Sequence, residues 1–500
     1  MNICLVSSEV APFSKTGGLA DVVGALAPRL AARGHRVLTV SPRYRQVDPE
    51  RHALRHTGQS VRVTAGRWGE VLGIRHTRLD GVHHVLVEHP TFTDRDGIYG
   101  DSRGTFGDNH VRYALLSRSA IEIARRLSLD GEPPLGEQVV FHANDWQTAL
   151  VPVYLQALHR EVGLFEQAAT VLTIHNLAHQ GRFDPALFPD LELAPRWFEP
   201  WSLEWFGDLA LLKGGVLQAD QITTVSPTFA WEMTTPQGGF GLDGVLGSRS
   251  HDLTGILNGI DTDAWDPATD PHLHAHYSAR DLRGKAVCKA ALQTELGLPV
   301  QHDAPLVGSI GRLDPQKGVE MLLESIPWLV EQGAQVVVLG SAAEAHAHYE
   351  AWLRALEARY PHHVRSWVGF SEPVAHRIEA GADLFVMPSL FEPCGLNQLY
   401  SMRYGTPPVV RHTGGLADSV EDCDPASDSG TGFVFHTPSG HDLRDALWRA
   451  LHLYRSDPAG WTRLVRRAMA RDVSWDTAIP RYEEVYRRAL QRRGVDVPAG

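Results

Sequence analysis

Short apolar runs rich in β-branched residues recur along this chain. Between them lie stretches whose apolar positions repeat every three or four residues. The runs predict a first series of strands at Asn2–Ser7, Arg36–Ser41, His83–Glu88, Gln138–His142, Thr170–His175 and Gln221–Ser226. A second series follows at Leu306–Ile310, Gln335–Leu339, Val364–Val368, Leu384–Pro388, Val409–Arg411 and Gly432–Phe435. The intervening spacing predicts helices, among them Asp21–Arg33, Val111–Leu127 and Val319–Glu331. Alternating strands and helices imply parallel sheets with right-handed crossovers, and two series imply an α/β fold of two doubly wound domains facing a central cleft.

The length of 500 residues exceeds what one hydrophobic core serves, so two or three domains are expected from it. The expected boundary lies near residues 250–256, giving domains at 1–253 and 254–477, with Asn258-Gly259-Ile260-Asp261 opening the second. Just before it, Thr234 to Gly247 (TTPQGGFGLDGVLG) is glycine-rich and poorly patterned, and reads as a mobile loop or lid. After Pro480, Tyr482 to Arg493 is amphipathic; this helix is expected to pack segment 478–500 back on the first domain, with Gly494–Gly500 frayed.

Composition narrows the class. A formal charge of -12 argues against nucleic acid as the main partner. The four cysteines, Cys4, Cys288, Cys394 and Cys423, have neither CxxC pairing nor zinc spacing and read as free thiols. No basic and apolar leader opens the sequence, and no apolar stretch approaches the roughly 18 residues of a membrane span. A cytoplasmic chain without membrane contact is therefore expected. Only five basic residues are lysines, namely Lys15, Lys213, Lys285, Lys289 and Lys317. Against 42 arginines, a retained lysine can mark a need for a compact ammonium. Lys285 and Lys289 are expected on a surface helix, where such a need is absent.

The hexapeptide Thr-Gly-Gly-Leu-Ala-Asp occurs at Thr16–Asp21 and again at Thr413–Asp418, each time between an apolar run and a helical stretch. Glycine pairs at such a junction let backbone N–H groups approach an anion. In a doubly wound sheet ligands bind beyond the C-terminal strand ends. The ends here carry Lys15-Thr16-Gly17-Gly18, then Asn144-Asp145-Trp146, then His175-Asn176. In the second series they carry Arg312 with Lys317, Glu392-Pro393-Cys394-Gly395-Leu396, and Thr413-Gly414-Gly415. These groups suit transfer from a phosphate leaving group. Arg312 and Lys317 can neutralise a diphosphate, and the Gly395 and Leu396 amides can bind its oxygens. Glu392 and Asp145 can hold sugar hydroxyls, and His175 can face an anomeric cation through its ring or its carbonyl. No carboxylate or Cys/His cluster marks a divalent metal site, so basic side chains are expected in a metal's place.

The segments SSEVAPFSKTGGLADVVGAL, HANDWQTAL, TIHNLAHQG, GILNGIDTDAWDP, GRLDPQKG, FEPCGLNQLYSMRYGTPPVVRHTGGLADSV and SWDTAIPRYEEVY follow one another over nearly the whole chain. In this set and order the sequence is similar to bacterial glycogen synthases and plant starch synthases, retaining glycosyltransferases with two Rossmann-like domains. The resemblance implies glucose transfer from ADP-glucose to the non-reducing 4-OH of an α-1,4-glucan, with retention and by front-face displacement. It implies that His175, Arg312, Lys317, Glu392 and Lys15 are catalytic. The ADP-glucose contacts it implies are Lys15, Gly18, Asn258, Arg312, Lys317, Cys394, Gly395, Leu396 and Asn397. Tyr99, Asp145, Trp146, His175 and Glu392 are implied on the substrate side. No metal or other cofactor is implied.

Some positions depart from the family pattern. Asn397 stands where Thr is common, Leu390 where Arg is common, and His179 and Phe370 where Tyr is frequent. Asn397 keeps a donor for phosphate, and Phe370 keeps a face for stacking on adenine. Tyr400 takes the place, eight residues after Glu392, where the wider superfamily often has a ribose-binding acid. Other nucleotide-sugar chemistry, such as 2-epimerisation or sucrose- or trehalose-type synthesis, is disfavoured by KTGGLAD and EPCGL. A catalytically inert glycan-binding protein is disfavoured because Lys15, His175, Lys317 and Glu392 are all present.

Overall fold

A computed structural model describes residues 1–66 and 68–496. It divides the chain into two compact units. The first comprises Met1–Val225, Ala230–Ile256 and the segment from Ala478 onward; the second comprises Ser226–Phe229 and Leu257–Thr477.

The sheet of the first unit has nine strands: β1 (Asn2–Val6), β2 (Arg36–Pro42), β3 (Arg55–Ala65), β4 (Trp68–Leu79), β5 (Val82–Glu88), β6 (Val140–Asn144), β7 (Ala169–Ile174), β8 (Gln221–Thr224) and β9 (Leu253–Gly255). Their order is β9-β8-β7-β6-β1-β2-β5-β4-β3. All pairings are parallel except β5–β4 and β4–β3. The buried parallel strands are continuous apolar runs because helices cover both faces, which is why sequence periodicity located them. β3 and β4 were not expected. They form an antiparallel edge ribbon, and β3 keeps most of its first half exposed, so it carries no apolar run to read.

In the second unit the strands are β10 (Leu306–Ile310), β11 (Gln335–Gly340), β12 (Val364–Val368), β13 (Leu384–Met387), β14 (Pro408–Arg411) and β15 (Phe433–Phe435). The order β12-β11-β10-β13-β14-β15 is wholly parallel. Both units are thus doubly wound, as expected.

Three expectations need correction. The end of the glycine-rich stretch is a helix, Asp243–Ser248, anchored by buried Leu242 and Leu246. Gly238 and Gly239 serve close packing, since a Cβ there would strike Glu232 and Asp243. Secondly, the helix Arg283–Glu295 is not a plain surface helix. Lys289 is 5% exposed, and its Nζ reaches His302 O, Ala304 O and Asp383 at 2.7–2.9 Å. Lys285 Nζ donates to Ala380 O (3.0 Å), Tyr404 O (3.1 Å) and Thr406 Oγ1 (2.6 Å). Finally, the last helix runs Ile479–Gln491, earlier than expected, with Tyr482, Val485, Tyr486, Ala489 and Leu490 buried. Tyr486 OH lies 2.9 Å from His142 Nδ1, and Arg481 donates to Gly255 O (2.7 Å), so this helix belongs to the first unit. The fraying expected over Gly494–Gly500 does not begin at Gly494: Gly494 N donates to Gln491 O and Val495, which is buried, to Leu490 O (2.9 and 3.1 Å), while 497–500 lie outside the described residues.

Among the described residues no helix is long and apolar enough to cross a membrane. All four cysteines are buried and free.

Candidate active site

In the second unit the winding reverses between β10 and β13, the switch point where an open parallel sheet leaves a crevice at its C-terminal edge. Two loops leave that edge. The first holds Arg312 and Lys317. Asp314 caps its short turn, accepting from Lys317 N at 3.1 Å, and pairs with the exposed Arg312 at 3.0 Å. Gly318 closes the loop with φ 65°, and the Pro388 carbonyl sits where a Cβ would go. Only glycine lets the two loops pack this closely.

That packing brings Lys317 Nζ to 2.6 Å from Glu392 Oε2. Glu392 is 5% exposed and accepts a second bond from Ser389 Oγ at 3.0 Å. Its loop is held from outside by Arg411, which donates to the Ser389 and Leu390 carbonyls. From below, the Gly415 amide donates to Glu392 O and Pro393 O (3.0 and 3.1 Å). This revises the reading of the two TGGLAD copies. The second is packed under the 392–394 backbone, where a Cβ at Gly414 or Gly415 would strike it. The first leaves Gly17 and Gly18 exposed at the N-terminus of the helix Gly18–Ala32. The copies share a sequence but not a role: one buttresses, and one presents amides.

After Glu392 come Cys394, Gly395 (φ 70°) and Leu396, leading into the helix Asn397–Arg403. First-turn amides of a helix have no partner within it and face anions. Asn397 Nδ2 donates to Ile310 O at 2.7 Å, so one of its two N–H groups ties the helix to β10. Burial pushes the Cys394 thiol up to about 12, with Asn258 hydrogen-bonded to it, so this cysteine is an inert packing group. Leu390 and Phe370 are exposed, Phe370 by 80%.

In the first unit, Lys15 and Gly18 follow β1, Asp145 and Trp146 follow β6, and His175 follows β7. These three strands are neighbours. Lys15 Nζ pairs with Asp21 at 2.9 Å and is half exposed. Glu9, missed by sequence reasoning, organises this loop. It is 2% exposed, and its carboxylate accepts from Thr16 N, Thr16 Oγ1 (2.6 Å) and Tyr99 OH. Tyr99 is therefore committed to holding Glu9 and Ser8. Trp146 packs edge-on against Tyr113 and beside Phe183.

His175 and Asp145 are coupled through the backbone. Asp145, at φ 57°, accepts from His175 N at 2.7 Å. Desolvation raises its carboxyl to about 7 even though the His175 and Asn176 amides oppose the shift. Desolvation also lowers His175 to about 3, leaving the imidazole neutral at physiological pH. Its tautomer follows from Asn144, whose Nδ2 donates to Val6 O and His142 O (3.2 Å each). The Asn144 Oδ1 must then accept, so His175 Nε2, 2.9 Å away, carries the hydrogen.

One group with metal-ligand spacing does occur among the described residues, His76, His83 and Asp130, on the first unit's ribbon side. The sequence hid it because Asp130 is remote from the histidines. Its imidazoles bond each other (3.0 Å), and Asp130 is paired with Arg55 (3.0 Å). It lies on other elements than the groups described above.

A family model described as the starch synthase catalytic domain matches residues 2–248, and one described as glycosyl transferases group 1 matches 297–461. The chain is 48% identical to the glycogen synthase of Anaeromyxobacter dehalogenans (strain 2CP-C) over 488 residues, 97% of this chain and 99% of that one. The chain belongs to the glycogen and starch synthase family. It is also 45% identical to soluble starch synthase 1 of Solanum tuberosum over 97% of this chain and 78% of that one. The solved catalytic domain of starch synthase IV from Arabidopsis thaliana, bound to ADP and acarbose, superposes with a TM-score of 0.88 at 36% identity, covering 98% of this chain and 99% of that one. A sucrose-phosphate synthase from Thermosynechococcus elongatus, at TM-score 0.61 and 17% identity, shares the fold alone. The protein is thus a retaining glycosyltransferase of the two-Rossmann GT-B type, from a family that elongates α-glucans.

Proposed function

We propose that this enzyme transfers glucose from ADP-glucose to the non-reducing 4-OH of an α-1,4-glucan such as glycogen, in the cytoplasm. The observation that carries this reading is the Lys317–Glu392 pair at the switch point, beside the Gly395–Leu396 amides. A cation suited to a diphosphate lies 2.6 Å from a carboxylate suited to sugar hydroxyls, and a bound donor would take the place of each one's partner. The ADP and acarbose bound to the Arabidopsis relative support the same choice of donor and acceptor.

In this scheme the C1–O bond to the diphosphate breaks as the acceptor O4 bonds C1 from the same face. The acceptor proton passes to a leaving diphosphate oxygen. Arg312, Lys317 and the helix amides take up the charge that builds on the diphosphate. Lys15 and Gly18 add an ammonium and an amide, and neutral His175 attends the anomeric carbon without adding positive charge there. Release of ADP on mixing the enzyme with ADP-glucose and glycogen is the direct test; no release above background, or equal release without glycogen, would refute the reading.

In this scheme Arg312 and Lys317 carry the charge that a divalent cation would otherwise supply to the leaving group. Turnover is therefore expected to survive exhaustive chelation. A steep loss that magnesium or manganese restored would refute this.

Asp145 makes the reaction pH-dependent. Its carboxyl protonates as pH falls through about 7, so kcat/KM should drop on the acid side of that value, and Asp145→Asn should remove the step. Stability runs the other way. A carboxyl raised from 3.8 to about 7 stabilises the fold fully below 3.8, and that contribution is lost as pH rises through 7. Asp145→Asn should consequently unfold at higher temperature than wild type at pH 8. An unchanged acid limb in the variant would remove Asp145 from the scheme.

A further inference from the structure

Trp265, in the segment GILNGIDTDAWDP, makes none of the donor contacts proposed above. Yet its indole is sandwiched between two rings, Tyr400 and His376, each 3.7 Å away and within 15° of parallel. His376 is buried and fixed, with Nδ1 2.7 Å from Asp270 Oδ2. The same Asp270 oxygen accepts from Tyr404 OH at 2.5 Å, and its other oxygen accepts from His272 N at 2.8 Å. Arg403 donates to the Trp265 carbonyl (3.3 Å) and pairs with Asp266 (2.7 Å). The Tyr404 carbonyl accepts from Tyr277 OH at 2.8 Å.

Tyr400, Arg403 and Tyr404 all lie on or cap the helix Asn397–Arg403. The 265–270 segment therefore grips the far end and one flank of the helix whose near end carries Gly395, Leu396 and Asn397. A helix moves as a rigid unit, so its axial place and its rotation are set where it is gripped. At the position where the wider superfamily often has a ribose-binding acid, this chain commits the side chain to the stack instead.

We propose that Trp265 is a positioning residue for the nucleotide donor: stacked on Tyr400, it sets the register of the helix that presents its amides to the diphosphate. The inference rests on the donor assignment made above. Trp265 touches no reacting atom. Its loss lets the helix rotate or slide, and a displacement of about 1 Å is enough to misplace amides against phosphate oxygens.

The test is calorimetric titration of the purified full-length enzyme with ADP, alongside steady-state kinetics varying donor and acceptor separately. Trp265→Ala should weaken ADP binding and raise the donor KM roughly tenfold, the scale of one or two amide–phosphate hydrogen bonds weakened by the displaced helix. The acceptor KM should stay within twofold, a split that general loosening of the unit would not give. Trp265→Phe should recover most of the loss. If Trp265→Ala yields no folded protein, Tyr400→Leu carries the test with the same expected values. Wild type that bound no ADP would overturn the donor assignment itself. Wild type that bound ADP, with the variant within twofold of it, would overturn this inference alone, as would equal rises in the donor and acceptor KM.

Discussion

Lys317→Ala should lose about 100- to 1000-fold in turnover, the 3–4 kcal/mol typical of removing one preorganised charge partner from a transition state. The same change should also destabilise the second unit, because Lys317 Nζ is the cationic partner of Glu392, which is 5% exposed. Leaving that carboxylate with the Ser389 hydroxyl but without its cation costs on the order of 1–3 kcal/mol. The two effects are separable. Lys317→Ala combined with Glu392→Gln removes the stranded charge, so the unfolding midpoint should return towards wild type while turnover stays lost. Lys317→Arg should restore stability and only part of the rate, since a planar guanidinium cannot follow charge onto one oxygen as an ammonium does. Kinetics and denaturant unfolding of the four proteins decide it. Turnover of Lys317→Ala within about threefold of wild type would remove Lys317 from the leaving-group site. A double variant that regained turnover would show that the rate loss came from the stranded charge.

How far these features were legible in the sequence follows from what each rests on. The parallel strands were legible because burial on both faces forces contiguous apolar residues, as in Leu306–Ile310, found where it was expected. The β3–β4 ribbon was not, because a half-solvated edge carries no such run. Lys317 and Glu392 were placed by the strand ends that precede them, but their direct bond was not legible. It depends on Gly318 letting two loops 75 residues apart come together. Glu9 was missed for a related reason: its partners, Thr16 and Tyr99, are fixed by the path of a loop and not by any spacing. The two TGGLAD copies misled because the sequence records residue type and not which backbone packs against it. Tetrahedral ammonium geometry also explains the lysine count better than catalysis alone. Lys213, Lys285 and Lys289 are each bound to backbone carbonyls that converge on a point.

Lys285→Met should lower the denaturant midpoint of the second unit, although the sequence around this lysine predicts an inconsequential surface residue. The methionine keeps the unbranched stem and removes only the donors, so the change isolates the hydrogen bonds from packing. Three acceptors lose their ammonium: Ala380 O at a helix end, Tyr404 O at the end of the donor-side helix, and Thr406 Oγ1. Tyr404 O retains Tyr277 OH, so the others decide the cost. At about 1–3 kcal/mol for each buried acceptor left unsatisfied, and with some relief from water, a loss of roughly 2–3 kcal/mol is expected. Desolvation lowers Lys285 to about 8. For a base whose pKa is lowered by folding, the associated stability is present above the unfolded value of 10.5 and is lost as pH falls through 8. Wild type should therefore gain stability between pH 8 and 10.5, and Lys285→Met should lack that gain. The gap between the two proteins should accordingly widen on the alkaline side. Lys285→Arg should not rescue the loss, because a planar fork cannot reach three acceptors arranged about one nitrogen. Urea unfolding at pH 7 and pH 9.5 measures both effects; a Met variant as stable as wild type at both values would show that Lys285 contributes no more than a surface residue.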